Sequence, residues 1–96
     1  LLAVDLATPA GVEAVRAAAL ARRADVLVNN AGIASFGRLE ALSEEHLAAA
    51  LTTNLLAPML LTRALLPGLQ ARRTAAVLNV GSVLGRIGLP GFSVYS

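Results

Sequence analysis

The sequence predicts an α/β fold built on a parallel sheet, from three observations. Apolar runs of strand length recur at 1–5, 25–29 and 75–81. The segments between them carry a helical period opened by capping residues. The resulting order of strand, helix, strand, helix, strand is that of parallel strands joined by right-handed crossovers.

Each element has a local cause. Residues 1–5 read as a buried strand ending in Asp5, without the alternation that a half-exposed strand shows. Thr8 is placed to cap a helix with Pro9 at its first position. "GVEAVRAAALARR" then sets Val12, Val15 and Ala19 on one face, with Arg22 and Arg23 at the C-terminal end, where the helix dipole favours cations. "DVLVN" at 25–29 is the second strand. It runs into the loop "NAGIASFGRLEAL", in which Gly32 and Gly37 supply backbone freedom. Ser43 caps the next helix, Glu44 and Glu45 fill its first turn, and the helix continues toward residue 70. Pro58 lacks an N–H and its ring clashes with the carbonyl of Asn54, so a kink is expected beside Asn54. "AAVLNVG" at 75–81 is the third strand and ends at Ser82. A loop with Gly85, Gly88, Pro90 and Gly91 leads to the start of a further helix near Tyr95. There is no internal repeat or linker. Because the first residues already read as a strand and the last break off as abruptly, an internal fragment of a larger domain is expected.

Composition narrows the function. Hydrophobic residues make up 56% of the 96 positions and aromatics only 3%, so the core must be built from Leu, Val and Ala, and a disordered chain is excluded. The formal net charge is +2 and the arginines are dispersed, so no nucleic-acid partner is expected. With no cysteine there is no disulfide, thiolate nucleophile or thiolate metal site. The apolar region "LAAALTTNLLAPMLLTRALLPGL" is interrupted by Thr52, Thr53, Asn54, Pro58, Thr62 and Arg63, and no signal peptide is visible, so a soluble, cytoplasmic protein without a membrane span is expected. His46 lies in a first helical turn with no second ligand spaced to help it. It reads as a solvated or partly packed residue, and no metal is expected.

The polar residues that break the apolar pattern gather at one edge: Asp5 after the first strand, Asn29 and Asn30 after the second, Ser82 after the third. In open parallel sheets, ligands gather beyond the carboxyl ends of the strands. The "NNAG" at 29–32, the helical Asn54 and the spacing of thirteen from Ser82 to Tyr95 together resemble the short-chain dehydrogenase/reductase family, over essentially the whole chain.

The resemblance implies a Rossmann-like, doubly wound parallel sheet, incomplete here, with residues 1–96 as the central part of one NAD(P)-binding domain. It implies hydride transfer between NAD or NADP and a small-molecule carbonyl or secondary alcohol. Tyr95 matches the tyrosine of the Tyr-x-x-x-Lys motif, the general acid or base, which also touches cofactor and substrate. A phenol with an ordinary pKa of about 10 is a sluggish base near neutrality, and the family's lysine, which favours the phenolate, is expected three positions past Ser96. Ser82 matches the serine that holds the substrate oxygen, and Asn54 the helix-kink asparagine that helps hold a water in the proton relay. Asp5, with the Leu6 backbone beside it, matches the acid that accepts from the adenine amino group. Asn30, Ala31 and Gly32 match the turn against the adenosine ribose, while Asn29 is expected to brace the sheet. Val83, Leu84, Gly85, Phe92 and the residues after Gly32 are expected to wall an apolar pocket. The glycine-rich pyrophosphate loop and the residue that selects NAD or NADP are expected upstream of Leu1.

The helices starting near Ser43 and Tyr95 resemble those that pair between subunits, which implies a homo-oligomer. Singly, each residue has an ordinary reading: Ser82 as a strand end, Tyr95 as a half-buried aromatic, Asn54 as a helix-packing group, Asp5 as the opening of a turn. The alternatives for the whole are a dinucleotide-binding module without turnover and an inactive fragment. For residues 1–96 alone, no activity is expected, with an unpaired sheet edge and an uncovered apolar face.

Overall fold

Two parallel strands and a long interrupted helix organise residues 1–96, all of which the computed structural model describes. Thr8 caps the first helix, α1 (Pro9–Ala21), its hydroxyl accepting from the Gly11 N–H at 3.0 Å with Pro9 at the first position. The turn before α1 is tight, because a Cβ at Gly11 would sit 1.8 Å from the Asp5 carbonyl oxygen. At the other end, Arg23 adopts a φ of 52°, the left-handed region. Its N–H donates to Leu20 and that of Ala24 to Ala19, which closes the helix as a Schellman motif. Arg22 and Arg23 therefore lie just past the last turn.

β1 (Val26–Asn29) and β2 (Ala76–Asn79) pair in parallel, with Val26 opposite Ala76 and Asn29 opposite Asn79. Between them run a single 3₁₀ turn (Leu39–Ala41), α2 (Glu44–Leu51), a π-helical turn (Thr52–Leu56) and α3 (Ala57–Gln70). Ser43 caps α2, accepting from the His46 N–H at 3.2 Å. The kink expected at Asn54 is realised as the π turn: the Ala57 N–H reaches back five residues to Thr52, which widens the helix where Pro58 cannot donate. Arg72, just beyond α3, bonds the Arg23 carbonyl and the Asp25 carboxylate, tying the end of α3 to the start of β1.

α3 turns Ala57, Leu61, Leu65 and Leu69 inward at intervals of one helical turn. Val12, Ala57 and Leu61 form the centre of the core, with Leu6, Val15 and Leu27 packed against it. β1 alternates, Leu27 and Asn29 facing the helices and Val26 and Val28 left about half exposed. Every residue of β2 is exposed. The total accessible surface of 6884 Å² exceeds the roughly 5200 Å² of a compact monomer of this mass, and the excess includes sheet residues that parallel sheets ordinarily cover.

Three expectations change. Residues 1–5 form no strand, because no other strand lies beside them to complete a ladder. The helix expected to continue toward residue 70 does so, over the 27 residues Glu44–Gln70, but the interruptions at 52–63 do not rule out a span as expected: it is long and apolar enough by length and composition to cross a membrane, a test that the core helix of a soluble protein also passes. The helix expected near Tyr95 is a run of turns, with one helix-type bond from the Ser96 N–H to the Phe92 carbonyl at 2.8 Å.

Candidate active site

β1 and β2 end side by side, and the chain leaving them lines a cleft of about 390 Å³. Asn30, Ala31 and Gly32 come to it from β1, Ser82 from β2, Asn54 from the π turn, and Tyr95 from the C-terminal turns. Asp5 and Leu6 do not line it. The Asp5 carboxylate turns back to accept from the Ala7 N–H at 2.8 Å, and Leu6 packs against the core. A larger cavity of about 810 Å³ shares Asn54 but extends along α3, where Arg63 is its one titratable group. The smaller cleft is the one lined by both Ser82 and Tyr95.

Backbone and side-chain bonds fix the cleft. The Asn54 Oδ1 accepts from the Ile33 N–H and the Asn54 Nδ2 donates to the Ile33 carbonyl, both at 2.8 Å. The half-buried asparagine thus supplies the turn after β1 with the two bonds that a neighbouring strand would otherwise make. Gly32 lies close by, its Cβ position 3.4 Å from Asn54 Oδ1. Ser82 Oγ accepts from the Leu84 N–H at 3.2 Å, capping the 3₁₀ turn Val83–Gly85. A hydroxyl that accepts from the backbone keeps its own proton to donate. Asn29 braces the sheet: its Nδ2 donates to Asn79 Oδ1 at 2.8 Å and lies 3.3 Å from Thr62 Oγ1.

Of the expected apolar walls, Gly85 lines the cleft with Ile33 and Ala34. Val83, Leu84 and Phe92 do not, because the 3₁₀ turn capped by Ser82 redirects the chain there and Phe92 stacks on other rings. Two further contacts hold the loop after β1. Ser35 is fully buried with its hydroxyl 3.1 Å from His46 Nε2, so His46 is a packed anchor for the loop after β1. Phe36 and Phe92 stack at 5.1 Å between centroids. The polar serine and the glycine-rich flanks of these positions gave no local signal of either contact.

Comparison with known proteins identifies the fold that carries this cleft. The model of the short chain dehydrogenase family matches residues 1–96. The 17-beta-hydroxysteroid dehydrogenase type 1 of Homo sapiens is 39% identical over 94 residues, which are 98% of this chain and 29% of that protein. Among solved structures, a short-chain dehydrogenase from Streptomyces avermitilis superposes with a TM-score of 0.85 at 38% identity, covering 98% of this chain and 35% of that one. A short-chain dehydrogenase from Sphingobium yanoikuyae in complex with NADPH gives 0.82 at 33% identity, covering 96% and 37%. The chain thus spans about a third of the length of these relatives. These neighbours share the Rossmann-type parallel sheet, of which β1, β2 and their helices are a part. With the family model matching it from end to end, the chain belongs to the short chain dehydrogenase family, which uses NAD or NADP.

Proposed function

We propose that the protein carrying this chain is an NAD(P)-dependent oxidoreductase acting on a carbonyl or secondary alcohol, with Tyr95 as general acid or base. The cleft shared by Ser82, Tyr95, Asn54 and the turn Asn30–Gly32 is the observation that supports this most. Residues of the kinds needed to hold the cofactor are present. Asn30, Ala31 and Gly32 are small or polar, exposed, and sit at the carboxyl end of a parallel strand, where backbone can approach a ribose. The Asp5 carboxylate is exposed, with one oxygen bonded to Ala7 and the other available to an adenine amino group. When bound, the nicotinamide cofactor supplies or accepts the hydride.

The chain's own residues move the proton and hold the oxygen. Tyr95 gives its phenolic proton to the substrate oxygen in reduction and takes it back in oxidation. Ser82, its Oγ already accepting from Leu84, donates to that same oxygen and stabilises its growing negative charge. The Asn54 side chain holds the turn after β1, while the main-chain carbonyl of Asn54, denied an i+4 donor by Pro58, is the acceptor we assign to the relay water. In the same reading, residues 1–96 are the central part of one cytoplasmic dinucleotide-binding domain. The exposed Leu51, Leu55 and Met59 lie on the helix face that pairs in a homo-oligomer.

The test is steady-state turnover of a panel of simple ketones by the complete protein with NADPH and NADH. Tyr95→Phe is expected to lower kcat by about 10²–10⁴-fold and Ser82→Ala by about 10²–10³-fold, with cofactor affinity little changed. Wild-type turnover by Tyr95→Phe would refute the assignment, and cofactor binding without any turnover would favour a non-catalytic binding module.

A further inference from the structure

The chain contains two phenylalanines, one tyrosine and no tryptophan, and these three rings form one array. Phe36 and Phe92 meet with centroids 5.1 Å apart and planes tilted by 55°. Phe92 and Tyr95 meet edge to face at 6.3 Å and 61°. Both pairs lie inside the range in which aromatic quadrupoles attract. The backbone reinforces the array: the Gly37 N–H donates to the Gly91 carbonyl at 2.8 Å, joining the loop after β1 to the loop before Tyr95. Gly91 has a φ of +82°, and a Cβ there would stand 2.7 Å from Phe36 Cε2, so the ring lies directly on the glycine. The Phe92 N–H donates to Leu89 at 3.1 Å and its carbonyl accepts from Ser96 at 2.8 Å, which sets Phe92 and Tyr95 on one turn.

We propose that Phe92 is a positioning residue for the Tyr95 phenol, and that Phe36, seated on Gly91, holds Phe92 in place. The loop after β1 and the proton donor then keep a fixed relation to one another. This rests on the reading of Tyr95 as general acid or base. A tyrosine side chain swings about two torsions, and a half-buried ring with cleft on one side needs a wall on the other. Phe92 is that wall. Phe36 is 71% exposed, so its role is not that of a core residue and its removal opens no buried cavity.

The test uses the complete protein, with NADPH and whichever of cyclohexanone, acetophenone and a hydroxysteroid ketone turns over fastest. Phe92→Ala and Phe36→Ala are expected to lower kcat, by about 10- to 100-fold for Phe92, the cost of misplacing a reacting group by about 1 Å. The KM for NADPH should change little, and Phe92→Tyr should restore most of the rate. Combined with Tyr95→Phe, Phe92→Ala should add almost nothing, since it acts through the phenol. Ring flipping of Tyr95, followed by NMR on ring-labelled tyrosine, should speed up in both alanine variants. That readout needs no turnover, and Phe36→Ala carries it if Phe92→Ala fails to fold. A kcat within twofold and unchanged flipping in the alanine variants overturn the proposal. Full activity of Tyr95→Phe would overturn the reading of Tyr95 beneath it, so the two failures are distinguishable.

Discussion

Replacing Asn54 by leucine tests how the turn after β1 is held. The side chain makes two bonds of 2.8 Å, one to each polar group of the Ile33 backbone, and leucine keeps the branching at Cγ, with bulkier methyl groups and neither donor nor acceptor. Each bond is worth about 1 kcal/mol net, and a backbone group left without a partner costs about 1–3 kcal/mol when buried. Ile33 is half-buried, so water repairs part of that second cost. The expected loss is therefore about 2–4 kcal/mol, read as a lower urea midpoint of the complete protein and faster hydrogen exchange at the Ile33 amide.

Asn54→Asp refines the same prediction. Its carboxylate still accepts from the Ile33 N–H but faces the Ile33 carbonyl without a proton to share, so at neutral pH the loss should fall between wild type and Asn54→Leu. Protonation restores a donor, so this variant should regain stability relative to wild type as the pH is lowered through the carboxyl's titration. An Asn54→Leu protein within about 0.5 kcal/mol of wild type, with unchanged Ile33 protection, would refute the claim that this side chain fixes the turn.

Gly11→Ala should cost about 2–3 kcal/mol, seen as a lowered Tm, because its Cβ would fall 1.8 Å from the Asp5 carbonyl oxygen, an atom already bonded to Thr8. Arg23→Gly should stabilise by about 1 kcal/mol, measured by urea titration, since Arg23 occupies the left-handed position of the Schellman motif with an exposed side chain. The Arg16 guanidinium, bonding both oxygens of Glu13, holds that carboxyl below its usual range. The stability this linkage confers is present above the unfolded-state pKa and lost as the pH falls through the lower folded one. NMR titration should show the Glu13 midpoint rising in Arg16→Met.

Much of this fold was legible because its causes are local. Thr8 and Ser43 cap the helices that follow them, and Pro9 sits at the first helical position, all within one turn of the residues they affect. β1 falls within the run predicted at 25–29, and β2 within 75–81. The misjudged elements depend on partners distant in sequence. Residues 1–5 have strand composition, but a strand exists only where a ladder does, and none forms at the first residues. Pro58 announced a disturbance near Asn54, yet either a sharp kink or a π turn satisfies a missing N–H. The turn seen here keeps the helix continuous while Asn54 reaches Ile33, a bond across 21 residues that no periodicity reports.

The candidate site divides in the same way. Ser82 and the turn at 30–32 were marked by polar residues at strand ends, where apolar sequence makes them conspicuous, and Asn54 by Pro58 four residues on; they line one cleft. The support behind Tyr95 carried no such mark. Phe36 lies in a loop with no period, Gly91 looks like any loop glycine, and only their spatial meeting explains either one. One signal was nevertheless in the composition. In a chain whose core is built from Leu, Val and Ala, an aromatic ring is not needed for bulk, and the two phenylalanines both fall in loops leaving the carboxyl ends of strands. Rings placed there, away from the core and beside the only tyrosine, are better explained by what they hold than by what they fill.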